Sequence, residues 1–287
     1  MITLENEYLK ATINPHGAEL SSLFLKSSET EFLWNGDATF WPRQSPVLFP
    51  IVGGLIDDTF IYKGKNYQLP KHGFARDVSF ELGKASAERA SFVLKSTEES
   101  LGYYPFEFLL RIIYTLNGSK ISVEYEVENP ANEILYFSIG AHPAFNVPLK
   151  KGSGYEDYYL EFEKEETTPR LILTGNIVAG SSPFFDQQKM LPLQASLFYN
   201  DALIFKNLNS TKISLKSNTS PQGLTFDFGG FPYIGIWATK DAPFVCIEPW
   251  CGIADFEGHN QKLEDKQGII ALPAGGDWKN GWSVECF

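Results

Sequence analysis

The chain has 287 residues, with 24 Lys+Arg against 35 Asp+Glu and a formal net charge of −11. Hydrophobic residues make up 43% and charged ones 21%, an ordinary balance for a packed globular protein that argues against disorder. The acidic balance disfavours a nucleic-acid-binding surface, which needs clustered Lys and Arg, and equally a polybasic membrane anchor.

Aromatic residues are 15% of the chain, beside 24 Gly and 17 Pro, a composition of many short strands and tight turns. In chain order, strands are predicted over residues 7–13, 79–82, 91–95, 108–116, 120–128, 135–139, 158–162, 170–173, 202–205, 212–215, 233–237 and 244–248. Lys120-Ile121-Ser122-Val123-Glu124-Tyr125-Glu126-Val127-Glu128 alternates most cleanly, so one face meets a core and the other water. Asn117-Gly118 before it predicts a hairpin with the preceding strand. Residues 98–101 and 193–199 each suit a short helical turn, and no longer window keeps a helical apolar stripe free of Pro and Gly. Strands spaced without helices between them predict antiparallel sheets packed face to face. No linker or repeat divides the chain, so a single domain over residues 1–287 is expected.

No apolar run approaches the roughly 20 residues that span a bilayer. Residues 1–7 lack the basic flank and apolar stretch of a signal peptide. A cytoplasmic protein with no membrane or nucleic-acid partner is expected. Cys246, Cys251 and Cys286 form no CxxC pair and have no His at zinc-finger spacing, which suits reduced thiols.

Histidine is scarce, with four in the chain. His16, in Asn14-Pro15-His16-Gly17-Ala18, and His259, in Glu257-Gly258-His259-Asn260, read as solvated turn residues. His72 lies in Leu69-Pro70-Lys71-His72-Gly73-Phe74-Ala75-Arg76-Asp77, a loop between two predicted strands. His142 lies in Ser138-Ile139-Gly140-Ala141-His142-Pro143-Ala144-Phe145-Asn146. There a strand ends at Gly, and Pro143 pushes His142 towards an extended backbone. Its small neighbours leave room for a ligand. Taken alone, either histidine is more readily structural than functional, and neither shows the spacing of a metal ligand. Glu248 ends the apolar stretch Phe244-Val245-Cys246-Ile247-Glu248-Pro249-Trp250. Partial desolvation there raises a carboxyl towards the range useful for a base, and an edge Glu marking the strand end is the plain alternative. Trp250 suits a sugar platform or core packing equally.

In this order and context, these residues resemble the aldose 1-epimerase (mutarotase) superfamily, and within it the bacterial LacX-like branch. The likeness covers nearly the whole chain. It starts at Asn14-Pro15-His16-Gly17-Ala18-Glu19-Leu20 and continues through Trp41-Pro42-Arg43-Gln44-Ser45-Pro46-Val47-Leu48-Phe49-Pro50-Ile51-Val52-Gly53. The loop of His72 and the strand end of His142 follow, and Ile247-Glu248-Pro249-Trp250 closes it. The resemblance implies a large antiparallel β-sandwich of the galactose mutarotase type, in agreement with the strand pattern. It implies an isomerase that interconverts the α and β anomers of an aldose or sugar phosphate. A small sugar is then the partner, no cofactor or metal is called for, and monomer and homodimer both stay open.

The resemblance also implies roles. Glu248 is the general base that takes the C1-hydroxyl proton, and His142 the general acid on the ring oxygen, from opposite sides of the acetal carbon. His72 matches a second histidine that hydrogen-bonds the sugar. Asp201, in Phe198-Tyr199-Asn200-Asp201-Ala202-Leu203-Ile204-Phe205, matches an Asp that binds sugar hydroxyls and reads equally as a turn residue opening a strand. Trp250 joins the substrate-binding set. The family tends to carry an Arg after Pro-Ile-Val-Gly. This chain reads Gly53-Gly54-Leu55 there, leaving Arg76, or Arg43, to supply a guanidinium. An imidazole of ordinary pKa, ~6.5, paired with a carboxylate predicts a bell-shaped pH profile. The rival reading is a non-catalytic carbohydrate-binding β-sandwich, favoured by the missing Arg and disfavoured by the retained His72, His142 and Glu248. A glycoside hydrolase would need two carboxylates flanking the bond, and only Glu248 stands out.

Overall fold

The computed structural model describes all 287 residues, Met1–Phe287. Strands take up 52% of the chain and helices 8%, so the fold is all-β: a large antiparallel sandwich. Its main sheet has fifteen strands. A four-stranded sheet formed by Ile2–Glu5, Leu9–Asn14, Glu19–Leu25 and Thr30–Glu31 packs its apolar face into the same core. The one α-helix, Glu98–Tyr103, is capped by Thr97, whose side chain accepts from the Ser100 N–H. No helix is long and apolar enough to cross a membrane.

Alternation decides which faces are buried. In strand Lys120–Glu128, Ile121, Val123, Tyr125 and Val127 are all in the core while their neighbours face outward. Each such side chain contributes roughly 1.5–3 kcal/mol by leaving water. Its hairpin partner is Leu109–Asn117, with Asn117 opposite Lys120. The central turn residues are therefore Gly118 and Ser119, one position later than the Asn-Gly dipeptide suggests. Gly118 takes φ +58°, the left-handed value that primed hairpin turns demand of their first residue.

Three predicted strands are redrawn by the structure. Residues 135–139 split at the buried Ser138: Leu135–Phe137 pairs with Ile270–Leu272, and Ile139–Ala141 joins the main sheet. Residues 158–162 and 170–173 fuse into one 17-residue strand, Tyr158–Thr174, which forms a long hairpin with Ile177–Pro192. Bulges at Glu166 and Pro169 carry the chain past residues that break the apolar pattern. The buried Glu166 carboxylate accepts the backbone N–H groups of Asn209 and Ser210 at 2.9 and 2.7 Å. The partner strand is exposed over most of its length, so it carries no apolar period to read.

Candidate active site

Strand Phe244–Cys251 is buried throughout and organises the site. Gly140 lies opposite Trp250, and Ala144 opposite Cys246. Antiparallel register between those two pairs sets position 142 across from position 248, where side chains share a face. Pro143 has no N–H to give, so the ladder opens there and His142 is released from pairing. On the other flank Glu248 faces Gly235, and Gly235 in turn faces Ile204. A row of His142, Glu248, Gly235 and Ile204 thus crosses one face of the sheet.

A cavity of about 620 Å³ opens over this row, lined by His72, His142, Asp201, Glu248, Trp250 and Arg76 among others. His142 Nε2 lies 3.1 Å from Glu248 Oε2. The His72 and His142 rings stand edge-to-face with centroids 6.0 Å apart. Trp41 stacks on His142 at 4.8 Å, and Trp237 meets the same imidazole edge-on at 5.5 Å. Trp250 lies beneath, 5% exposed. A Cβ at Gly140 or Gly235 would come within 2.6 or 2.7 Å of its indole, so both glycines make room for the ring.

His72 is held by its own backbone and ring. Its N–H donates to Gly53 O at 2.9 Å, and the Gly53 N–H donates to His72 Nδ1 at 3.1 Å. With Nδ1 accepting, the neutral ring carries its proton on Nε2. The residue sits at φ +69°, a region uncommon outside glycine and one that clusters at functional sites. Arg76 Nη2 donates to Lys71 O at 2.6 Å, which folds the guanidinium back beside the cavity. Arg43 instead pairs with Asp77 at 2.7 Å and is not part of the lining.

Electrostatics at the pair run against ionisation. Burial pushes Glu248 well above the usual carboxylate range, with nearby Lys71 opposing. Burial pulls His142 down to about 3, and His72 well below its ordinary value, with His142 and Lys71 adding to the effect. The two groups stand 3.1 Å apart, and burial disfavours the charged form of each. Burial thus shifts this imidazole down from the ordinary value assumed for it from sequence. His142, Cys246 and Glu248 also form a cluster of potential metal ligands. Burial raises the Cys246 thiol well above its ordinary value, whereas a metal binds the thiolate.

The aldose 1-epimerase family profile matches residues 1–263. The chromosomal LacX protein of Lactococcus lactis subsp. lactis is 38% identical over 282 residues, 94% of each chain. The chain belongs to the aldose 1-epimerase family. A galactose mutarotase related enzyme from Lactobacillus acidophilus superposes with a TM-score of 0.96 at 35% identity, over 100% of this chain and 97% of that one. A galactose mutarotase-like protein from Lactobacillus casei ATCC 334 gives 0.93 at 34%, over all of both chains.

In this aldose 1-epimerase family member the six residues singled out from sequence all reach one cavity: His142, Glu248, His72, Asp201, Arg76 and Trp250. Asp201 is both a turn residue and a lining residue. At φ +84°, its carboxylate accepts the Ala202 N–H at 2.7 Å just before strand Leu203–Lys206. His142 and Glu248, expected to flank the substrate carbon, stand as neighbours on one sheet face, 3.1 Å apart. Sequence reasoning missed Trp41, Asn176 and Lys240 as lining residues, and Trp237 joins them. Trp41 had a signal, since it opens the Trp41-Pro42-Arg43 stretch. At the place where an Arg is wanting, a Cβ on Gly54 would come within 2.6 Å of Asn176 Cβ, so no side chain fits. His259 is not solvated: its side chain is 13% exposed and its Nδ1 lies 3.6 Å from buried Asp255. His16 is exposed, as its turn predicts.

Proposed function

We propose that this protein opens and recloses the ring of an aldose, exchanging its α and β anomers through the His142–Glu248 pair. The observation that carries the reading is the 3.1 Å contact between an imidazole and a carboxyl at the floor of a sugar-sized cavity. The ring oxygen and the C1 hydroxyl share one carbon, so a donor and an acceptor in contact can span both.

In the reactive arrangement the shared proton is on His142 and Glu248 is the carboxylate. Glu248 takes the C1-hydroxyl proton, the C1–ring-oxygen bond breaks, and His142 protonates the departing ring oxygen. The products are an open-chain aldehyde, a protonated Glu248 and a neutral His142, the forms that burial favours. After the aldehyde turns about its C1–C2 bond, the same two transfers run backwards and close the ring on the other face. No proton is gained from solvent or lost to it. His72 donates its Nε2 proton to a sugar oxygen, and its lowered pKa keeps it a neutral donor. Asp201 accepts from sugar hydroxyls, while Trp41 and Trp237 cover apolar C–H faces.

The cavity also gathers Lys71, Arg76 and Lys240 in a chain whose net charge is −11. That local excess of cations suits an aldose bearing a phosphate. The test is NMR of anomer exchange with α-glucose, α-galactose and their 6-phosphates. The wild type accelerates exchange of at least one sugar, with the lower KM for the phosphorylated form, and Arg76→Ala narrows that gap. Tight sugar binding with no acceleration for any of the four supports the non-catalytic carbohydrate-binding reading instead.

A further inference from the structure

The long hairpin of Tyr158–Thr174 and Ile177–Pro192 reaches the cavity only at its tip. Its turn is Gly175-Asn176, with Gly175 at φ +60°, and the tip adds Leu173 and Asn176 to the cavity wall. The tip is seated at three points. Leu171 pairs with Ile204, itself a lining residue. The Val178 N–H donates to Asp255 O, and the Glu257 N–H to Val178 O, both at 2.8 Å. Third, Asn176 rests on Gly54, where a Cβ would lie 2.6 Å from Asn176 Cβ and 2.7 Å from Asn176 O. Gly54 does not occupy the left-handed φ region. Its missing side chain therefore serves the approach of the hairpin rather than a turn.

The apolar residues of the arm explain its docking, because Leu171, Leu173 and Val178 pack on the small cluster beneath the cavity. An Asn after Gly175 also suits the two-residue turn, and its amide is left facing the cavity. Asn176 is exposed to the cavity. The side-chain hydrogen bonds of the arm lie further back, from Arg170 to Ser182 and from the Gln187 N–H to Thr167. A neutral amide offers two donors and an acceptor, which matches a sugar hydroxyl rather than an anion.

We propose that Asn176 is a specificity-determining residue that hydrogen-bonds one hydroxyl of the bound aldose, carried there by the hairpin tip on its Gly54 seat. The proposal rests on the reading of the cavity as an aldose site. A site built to bond a hydroxyl discriminates against the analogue lacking it, and this separates recognition from mere support of the wall. The experiment compares wild type, Asn176→Ala, Gly54→Ala and the double variant on the best aldose and its monodeoxy analogues. Asn176→Ala raises KM about 3–10-fold with kcat within about twofold, the loss of one hydrogen bond. One deoxy sugar should cost the wild type affinity and cost Asn176→Ala nothing further. Gly54→Ala lifts the tip and raises KM alone, but adds little once Asn176 is Ala. An unchanged KM in Asn176→Ala, an unchanged ranking of deoxy sugars, or additive effects of the two substitutions overturns the proposal. Binding without turnover overturns the catalytic reading alone, and the same variants are then scored by Kd. Absence of any aldose binding by the wild type overturns both.

Discussion

Glu248 and Asp255 are both buried acids, 2% and 1% exposed, seven positions apart, and they live in opposite circumstances. Asp255 accepts from Lys266 Nζ at 2.7 Å and from the Ile56 N–H at 3.0 Å, and Lys266 is itself buried. Glu248 has no cation in contact and lies 3.1 Å from the Nε2 of a buried imidazole. Asp255 behaves like Glu166, whose oxygens are taken by two backbone amides. A satisfied buried acid ties strands and loops together. One that faces an imidazole rather than a cation resists ionisation, at a cost in stability, and lies where a ligand can reach it.

Swapping the two circumstances should swap the consequences. The largest effect is expected for Glu248→Gln. It removes the proton acceptor while keeping shape, so kcat/KM for anomer exchange falls by about 10³-fold or more. Its melting temperature stays level or rises. Burial keeps Glu248 protonated in the folded chain where the unfolded chain ionises above ~4.3. Folded protein thus holds more protons over that window, and wild-type stability falls as pH rises through it. A melting temperature well below wild type would show that the Glu248 carboxyl stabilises the fold as Asp255 does. Lys266→Met is expected to do the reverse. It strands Asp255 as an uncompensated buried charge and costs about 3–5 kcal/mol of unfolding free energy. Turnover per folded molecule stays within about twofold, checked by urea unfolding alongside the NMR assay.

The next effect is on acid stability. His142 is held near 3 when folded and returns to about 6.5 when unfolded. Between those values the unfolded chain binds a proton that the folded chain refuses. Its contribution to stability is full above pH ~6.5 and is lost as pH drops, by up to about 1.4 kcal/mol per unit. His142→Asn should flatten the decline between pH 6.5 and 4, measured by urea midpoints at each pH. The smallest effect is expected for Trp41→Phe, which keeps a ring on His142 but reduces the stacked area. kcat should fall about 2–10-fold with little change in stability, in line with the worth of one aromatic contact.

How much of this was legible in the sequence differs by region. The alternating strands showed because one face of each meets the core. Strand Ile177–Pro192 did not, because neither of its faces is buried for most of its length. The His142–Glu248 contact is encoded in a register, 140 opposite 250 and 144 opposite 246, that no local pattern announces. The residues themselves stood out as a strand-end histidine before Pro and an acid ending an apolar run. Trp41, Asn176 and Lys240 come from three separate segments, and only the folded sheet brings them together. The burial of His259 beside Asp255 was hidden for the same reason: its own segment is polar, and Lys266 arrives from outside it.

The claim beneath all of this is that His142 and Glu248 act as one unit holding a single proton. The pH dependence of kcat/KM for anomer exchange, corrected for the uncatalysed rate, tests it most directly. If the two residues do so, activity persists as pH falls from 7 towards 4, and declines on the alkaline side as the pair loses its proton. An acid limb near 6.5, the signature of an imidazole titrating freely on its own, would contradict it.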